Sequence, residues 1–213
     1  MKKSANIMSI MGGSEAGNSF AKPVGMLYPF YLSGEIGESE DYIDWFDTIR
    51  NCGPEDVVVF HINSPGGDLF TAIQFMRVMA ECRGHIIASV EGMCMSAATI
   101  IFLYADAYQI SEHSMFMFHD YSSGTYGKGG ELFDSIHHER KWSKKLLSDT
   151  YKNFLSEAEI LSILANKDLW MTGEDAAKRL EKRAKIEEEG LAKKPSTKRA
   201  TKKVAKTELL LEA

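Results

Sequence analysis

The chain has 213 residues, with 25 Lys and Arg against 30 Asp and Glu, 44% hydrophobic residues, 17 Gly and 5 Pro. That is enough for one domain with a sizeable core, or two small ones, and it excludes collagen-like, coiled-coil and wholly disordered chains. Cys52, Cys82 and Cys94 are odd in number and lack Cys-x-x-Cys spacing, which argues against a disulfide framework or a structural zinc.

Residues 1–24 carry Lys2 and Lys3 but no apolar run of signal-peptide type, so an irregular N-terminal segment is expected. The longest nearly apolar stretch, around Gly92 to Ala107, falls short of the roughly 20 residues that span a bilayer. The expectation is a soluble, cytoplasmic protein without a membrane partner. The mix of Leu, Tyr and Phe from Met26 to Ile36 predicts a strand or two. Ser39 is placed to cap a helix with apolar positions Tyr42, Trp45, Phe46 and Ile49. The β-branched and aromatic run Val57 to Ile62 predicts a strand buried on both faces. Asn63-Ser64-Pro65-Gly66-Gly67 stops it, and Leu69 to Glu81 comes next as a helix.

The cycle repeats with a strand His85–Val90, Gly92 as punctuation, and a helix from Ser96 to about Tyr104. A strand pair is expected at 107–110 and 114–119. After the Gly-rich stretch Gly124–Gly130 comes a long charged helix, 131–154. Ser156 and Glu159 form a capping box for a helix to Asn166, and Thr172 opens a last helix. This alternation predicts one α/β domain, 25–185, with mostly parallel strands. Between Lys193 and Lys206 stand seven positive residues and no acid, so residues 186–213 read as a charged, disordered tail. An electrostatic tether to an acidic partner or nucleic acid, or a segment removed by proteolysis, are alternatives for the tail. Nucleic acid is otherwise not an expected partner.

Two loops come after strand ends, where open α/β folds place their sites. Ser64-Pro65-Gly66-Gly67 can expose backbone N–H groups as an oxyanion nest, or simply turn into the next helix. Gly92…Ser96-Ala97 puts a serine at the start of an apolar helix. There it can be an N-cap, or a nucleophile beside helix N–H groups. A serine nucleophile needs a base. His61 and His85 lie within strands. His137 and His138, beside Glu139, read as a solvated helix face rather than a metal site. His119 ends an apolar strand and opens into a polar loop, which suits a base at a site edge. The carboxylate that orients such a base cannot be chosen by patterning.

The segment Ile62–Gly67, the Gly92…Ser96 loop, the strand ending in His119 and the run Lys167-Asp168-Leu169-Trp170-Met171-Thr172 resemble the ClpP-type proteolytic subunits of the Clp proteases, the S14 serine peptidases. The likeness covers about residues 26–182. It implies the ClpP/crotonase-type fold of repeated β-β-α units with a handle helix. It also implies Ser96 as nucleophile, His119 as base, Asp168 as the residue holding the imidazole, and the N–H groups of Gly67 and Ala97 as oxyanion hole. Ala97 stands where the family usually has Met. Gly124, Thr125, Tyr126 and Gly127 match the handle strand that aligns substrate. No cofactor and no metal are implied. The implied partners are polypeptide substrates, further copies in two stacked seven-membered rings, and an unfoldase ATPase.

The chain departs from the family pattern at Asp120-Tyr121, where Gln-Pro is common, and in residues 1–24, which do not resemble the axial-loop segment that contacts the ATPase. Altered termini of this kind occur in divergent phage-encoded members. Two other functions stay open at this level: a nonproteolytic crotonase-type acyl-CoA enzyme, and a structural ring subunit with a degenerate site.

Overall fold

The computed structural model describes residues 25–124 and 126–192; the expected N-terminal segment, Thr125 and the basic stretch from Lys193 onward lie outside them. Among the described residues, six strands form one mixed sheet in the order β1-β2-β3-β5-β6, with β4 also paired to β3. The strands are β1 Leu27–Ser33, β2 Val57–Ser64, β3 His85–Met95, β4 Ala107–Ile110, β5 Met115–Phe118 and β6 Leu169–Thr172. All pairings are parallel except β5 with β6. The helices are α1 Ile43–Asn51, α2 Leu69–Glu81, α3 Ala97–Leu103, α4 Gly129–Thr150, α5 Glu157–Leu164 and α6 Gly173–Ala192.

Side chains of a strand alternate between its faces. Val58, Phe60 and Ile62 of β2 are therefore fully buried, whereas Val57, Val59 and His61 are only half-buried. The expectation of burial on both faces is corrected by this alternation. Phe60 meets Phe30, Trp45 and Phe75, which gather β1, α1 and α2 into one aromatic cluster. Phe60 and Phe75 are fully buried, and each contributes about 1.5–3 kcal/mol; Phe30 and Trp45 are partly buried against them.

Several element boundaries differ from expectation. Ser39 caps nothing: the chain enters α1 through a 3-10 turn, Ser39–Tyr42, whose preceding residue is Glu38. The helix expected at 131–154 starts at Gly129 and ends at Thr150, where Tyr151 turns inward and is buried. The last helix runs to Ala192, past the expected domain end at 185. Its charges pair along the surface, Lys178 with Glu174 at 2.7 Å and Arg183 with Glu187 at 2.9 Å, so the polar run is a solvated helix.

The strand β3 passes through Gly92 to Met95 instead of ending at Val90. Its register with β2 shifts between Ile62 and Ser64, since Ile62 faces Val90 and Ser64 faces Cys94. The Asn63 side chain fills this irregularity, accepting from the Met93 N–H at 3.1 Å, and a Cβ at Gly92 would lie 2.6 Å from Asn63 Oδ1. Such a bulge bends a strand and re-aims the residues beyond it. The first half of β3 thus pairs with β4, and its second half, leading to Ser96, pairs with β5, leading to His119.

The capping box of Ser156 and Glu159 forms as expected, and Arg179 adds a two-pronged ion pair to Glu159 at 2.7 and 2.9 Å. These bonds hold the Glu159 carboxyl down at about 2, with the Arg179 bond the largest cause. A carboxylate lowered on folding stabilises above its unfolded pKa and loses that contribution as pH falls toward the folded value. Glu159→Gln should therefore lower the urea midpoint at pH 7, and the gap to the parent should narrow below the ordinary carboxylate pKa of ~4.3 and close only as pH falls through about 2. A gap independent of pH would contradict this.

Candidate active site

Ser96 sits between β3 and α3 with φ 52° and ψ −127°, a positive φ that costs a non-glycine residue about 1–3 kcal/mol. It occupies the N-cap position of α3, yet its side chain caps nothing. Instead Ser96 Oγ lies 2.6 Å from Nε2 of His119. The N-cap alternative thus gives way to a serine–histidine hydrogen bond. The turn is held from three sides. The Ser96 N–H donates to the Met117 carbonyl at 2.8 Å, and Gly66 packs so closely that a Cβ there would lie 2.6 Å from Ser96 Cβ. The Ser96 carbonyl accepts from Thr99 Oγ1 at 2.6 Å.

Thr99 Oγ1 also lies 2.8 Å from the Tyr151 hydroxyl, and both residues are buried. A hydroxyl has one proton. Thr99 spends its proton on the Ser96 carbonyl, so the phenol is the donor, and burial pushes its pKa well up. Neither Thr99 nor Tyr151 stands out in the sequence, because a Thr inside an apolar helix and a Tyr after a long one both read as packing. Thr99→Val keeps the shape but leaves the phenol without its acceptor, and unfolding should cost roughly 1–3 kcal/mol less. An unchanged melting midpoint would contradict this role.

Gly67 has φ +146°, and a Cβ there would lie 2.3 Å from the Ile36 carbonyl oxygen. A bridge from Ile36 fixes the loop: the Ile36 N–H donates to Gly66 O, and the Asp68 N–H to Ile36 O, both at 2.8 Å. Among the described residues, the N–H of Gly67 and that of Ala97, first in α3, donate to no backbone acceptor. Gly67, Ser96, Ala97 and His119 line one cavity of about 690 Å³.

Asp168 is not brought to this pair by a hydrogen bond. It is exposed, and no bond joins it to His119. It does immediately precede Leu169, whose partner in the last pair of the β5–β6 ladder is Phe118, the residue before His119. The handle residues Gly124, Tyr126 and Gly127 are exposed, form no strand and do not line the cavity; Tyr121, Ser122 and Ser123 do. His137 and His138 are exposed, as a solvated face would be; His138 and the half-buried Glu139 also line the cavity, and Glu139 accepts from Ser123 and Ser135 at 2.9 and 3.1 Å. His61 is bound to Glu91 at 2.5 Å under the ring of Tyr31, away from this cavity.

No group of three or more His, Cys, Asp or Glu among the described residues is placed to hold a metal, and no described helix is long and apolar enough to cross a membrane. No curated protein matches the chain. A family model described as Clp protease matches residues 39–179, a span that contains Gly67, Ser96, His119 and Asp168 together with the sheet from β2 onward. That match covers well over half of the sequence, and the mixed α/β sheet with its flanking helices agrees with it: the chain belongs to the Clp protease family.

Proposed function

We propose that the chain is a serine-type endopeptidase that cleaves unfolded or flexible polypeptides. The observation that carries this reading is the 2.6 Å contact of Ser96 Oγ with His119 Nε2 at a strained turn inside a cavity. Neutral His119 takes the Ser96 proton as Oγ attacks the scissile carbonyl, and returns it to the leaving amine. The N–H groups of Gly67 and Ala97 receive the developing oxyanion, each such donor being worth about 3 kcal/mol in the transition state.

Asp168 is the residue we assign to orient the imidazole. The support for it is the family match together with the ladder, since Asp168 and His119 flank the terminal Leu169–Phe118 pair on the same end of β5 and β6. Catalytic contacts that are absent from a free site often form only with substrate bound. Asp168→Ala should lower kcat by on the order of 10⁴-fold, as losing the carboxylate of such a triad does. Loss of less than tenfold would remove Asp168 from the mechanism.

Assembly into stacked rings enclosing a chamber, and coupling to an unfoldase ATPase, belong to this reading as proposals supported by family membership. A crotonase-type acyl-CoA enzyme would share the oxyanion hole but has no use for the Ser96–His119 bond. Incubation with casein and with acyl-CoA thioesters separates the two readings. Casein fragments and intact thioesters are expected; the reverse pattern overturns the peptidase.

A further inference from the structure

The cavity that contains Ser96 has a charged wall that the peptidase reading does not use. Asp120 follows His119 directly, lines the cavity and is half-buried. Its Oδ1 accepts from Ser143 Oγ at 2.6 Å and from the Tyr121 N–H at 2.9 Å. Ser143 is itself buried in α4, so this oxygen is anchored to the body of the fold. Among the described residues, Asp120 Oδ2 accepts no hydrogen bond and Asp120 enters no ion pair.

Two donors hold one oxygen of this half-buried carboxylate, which leaves the other free to take a charge-assisted hydrogen bond from a cation. Among the described residues, no lysine or arginine lines the cavity. The other two lining carboxylates are already occupied. Asp68 caps α2 through the Thr71 N–H, and Glu139 takes the hydroxyls of Ser123 and Ser135. Beside Asp120 the same cavity is walled by Ile100, Leu146 and Trp142. Such a wall accepts a long methylene stem, and Asp120 then meets a cationic head.

We propose that Asp120 is a specificity-determining residue that selects a lysine or arginine side chain next to the scissile bond. This rests on the peptidase reading and adds the substrate class to it. A hydrogen bond to a charged group gives an expected preference of roughly 10- to 100-fold in kcat/KM over leucine at the same position. The preference should reside mainly in KM, because the contact exists in ground and transition states alike. It should also shrink with salt, since a half-open ion pair is screened.

The experiment digests a mixture of unstructured peptides with the full-length protein and reads the cut sites by mass spectrometry. Matched Lys and Leu peptides are then assayed at low and high salt with the parent and with Asp120→Asn. Asparagine keeps an acceptor for Ser143 and Tyr121 but removes the charge. Enrichment of Lys and Arg beside the cuts, weakened by salt and collapsing in D120N, is the expected result. Cuts without basic enrichment overturn this inference and leave the peptidase intact. Basic enrichment that survives in D120N overturns the role of Asp120. Absence of any cleavage together with absence of covalent labelling at Ser96 overturns the peptidase reading and this inference with it.

Discussion

Ser96→Ala is expected to reduce peptide cleavage by on the order of 10⁴-fold or more, because His119 then has no proton to take and no acyl-enzyme can form. The size of the loss distinguishes a nucleophile from a helix cap. Removing a serine N-cap costs only about 1 kcal/mol of stability, and Ser96 makes no capping bond to lose. Ser96→Gly sharpens the test. Its activity should fall as far, yet its unfolding free energy should rise by about 1 kcal/mol, because glycine adopts φ 52° without strain. Activity lost while stability is gained is the signature of a residue kept for chemistry. A parallel fall in both would assign Ser96 to structure instead.

Gly67→Ala should be the most damaging single methyl addition near the site. The new Cβ would lie 2.3 Å from the Ile36 carbonyl oxygen and 2.6 Å from its nitrogen, both backbone atoms of the bridge that fixes the loop. The φ of +146° adds backbone strain for any side chain. Relief requires the loop to move, which destabilises the fold by about 3 kcal/mol. Under the proposed mechanism it also swings the Gly67 N–H away from the oxyanion, with an expected fall in kcat of on the order of 10²–10³. Gly124→Ala serves as the comparison, since a Cβ there meets nothing within 4 Å. Equal effects at the two positions would contradict this role for Gly67.

How far these features can be read from the sequence depends on whether they are local. The helix Leu69–Glu81 and the capping box at Ser156 and Glu159 are legible because cap and periodicity are written within a few residues. The extension of β3 past Gly92 is not, because it depends on the Asn63 side chain arriving from another strand. Nor is β6, a four-residue strand of Leu-Trp-Met-Thr that exists only by pairing with β5.

The same divide runs through the site. Ser96 and His119 stand at strand ends that patterning marks. The positive φ of Ser96, the buried Thr99–Tyr151 bond and the Ser143 clamp on Asp120 join residues 52 and 23 positions apart in the latter two cases, beyond any local pattern. Patterning leaves the orienting carboxylate open, and only the family resemblance names it. In the structure His119 and Asp168 each lie one residue beyond the last β5–β6 pair, Phe118 with Leu169, and no hydrogen bond joins them.

The most direct test of an activated serine at position 96 is labelling of the full-length protein with a fluorophosphonate probe, followed by peptide mapping, in the parent and in His119→Ala. Covalent modification confined to Ser96, and lost in the histidine variant, is the predicted result. Modification that persists without His119, or a correctly folded parent that takes up no probe, would contradict it.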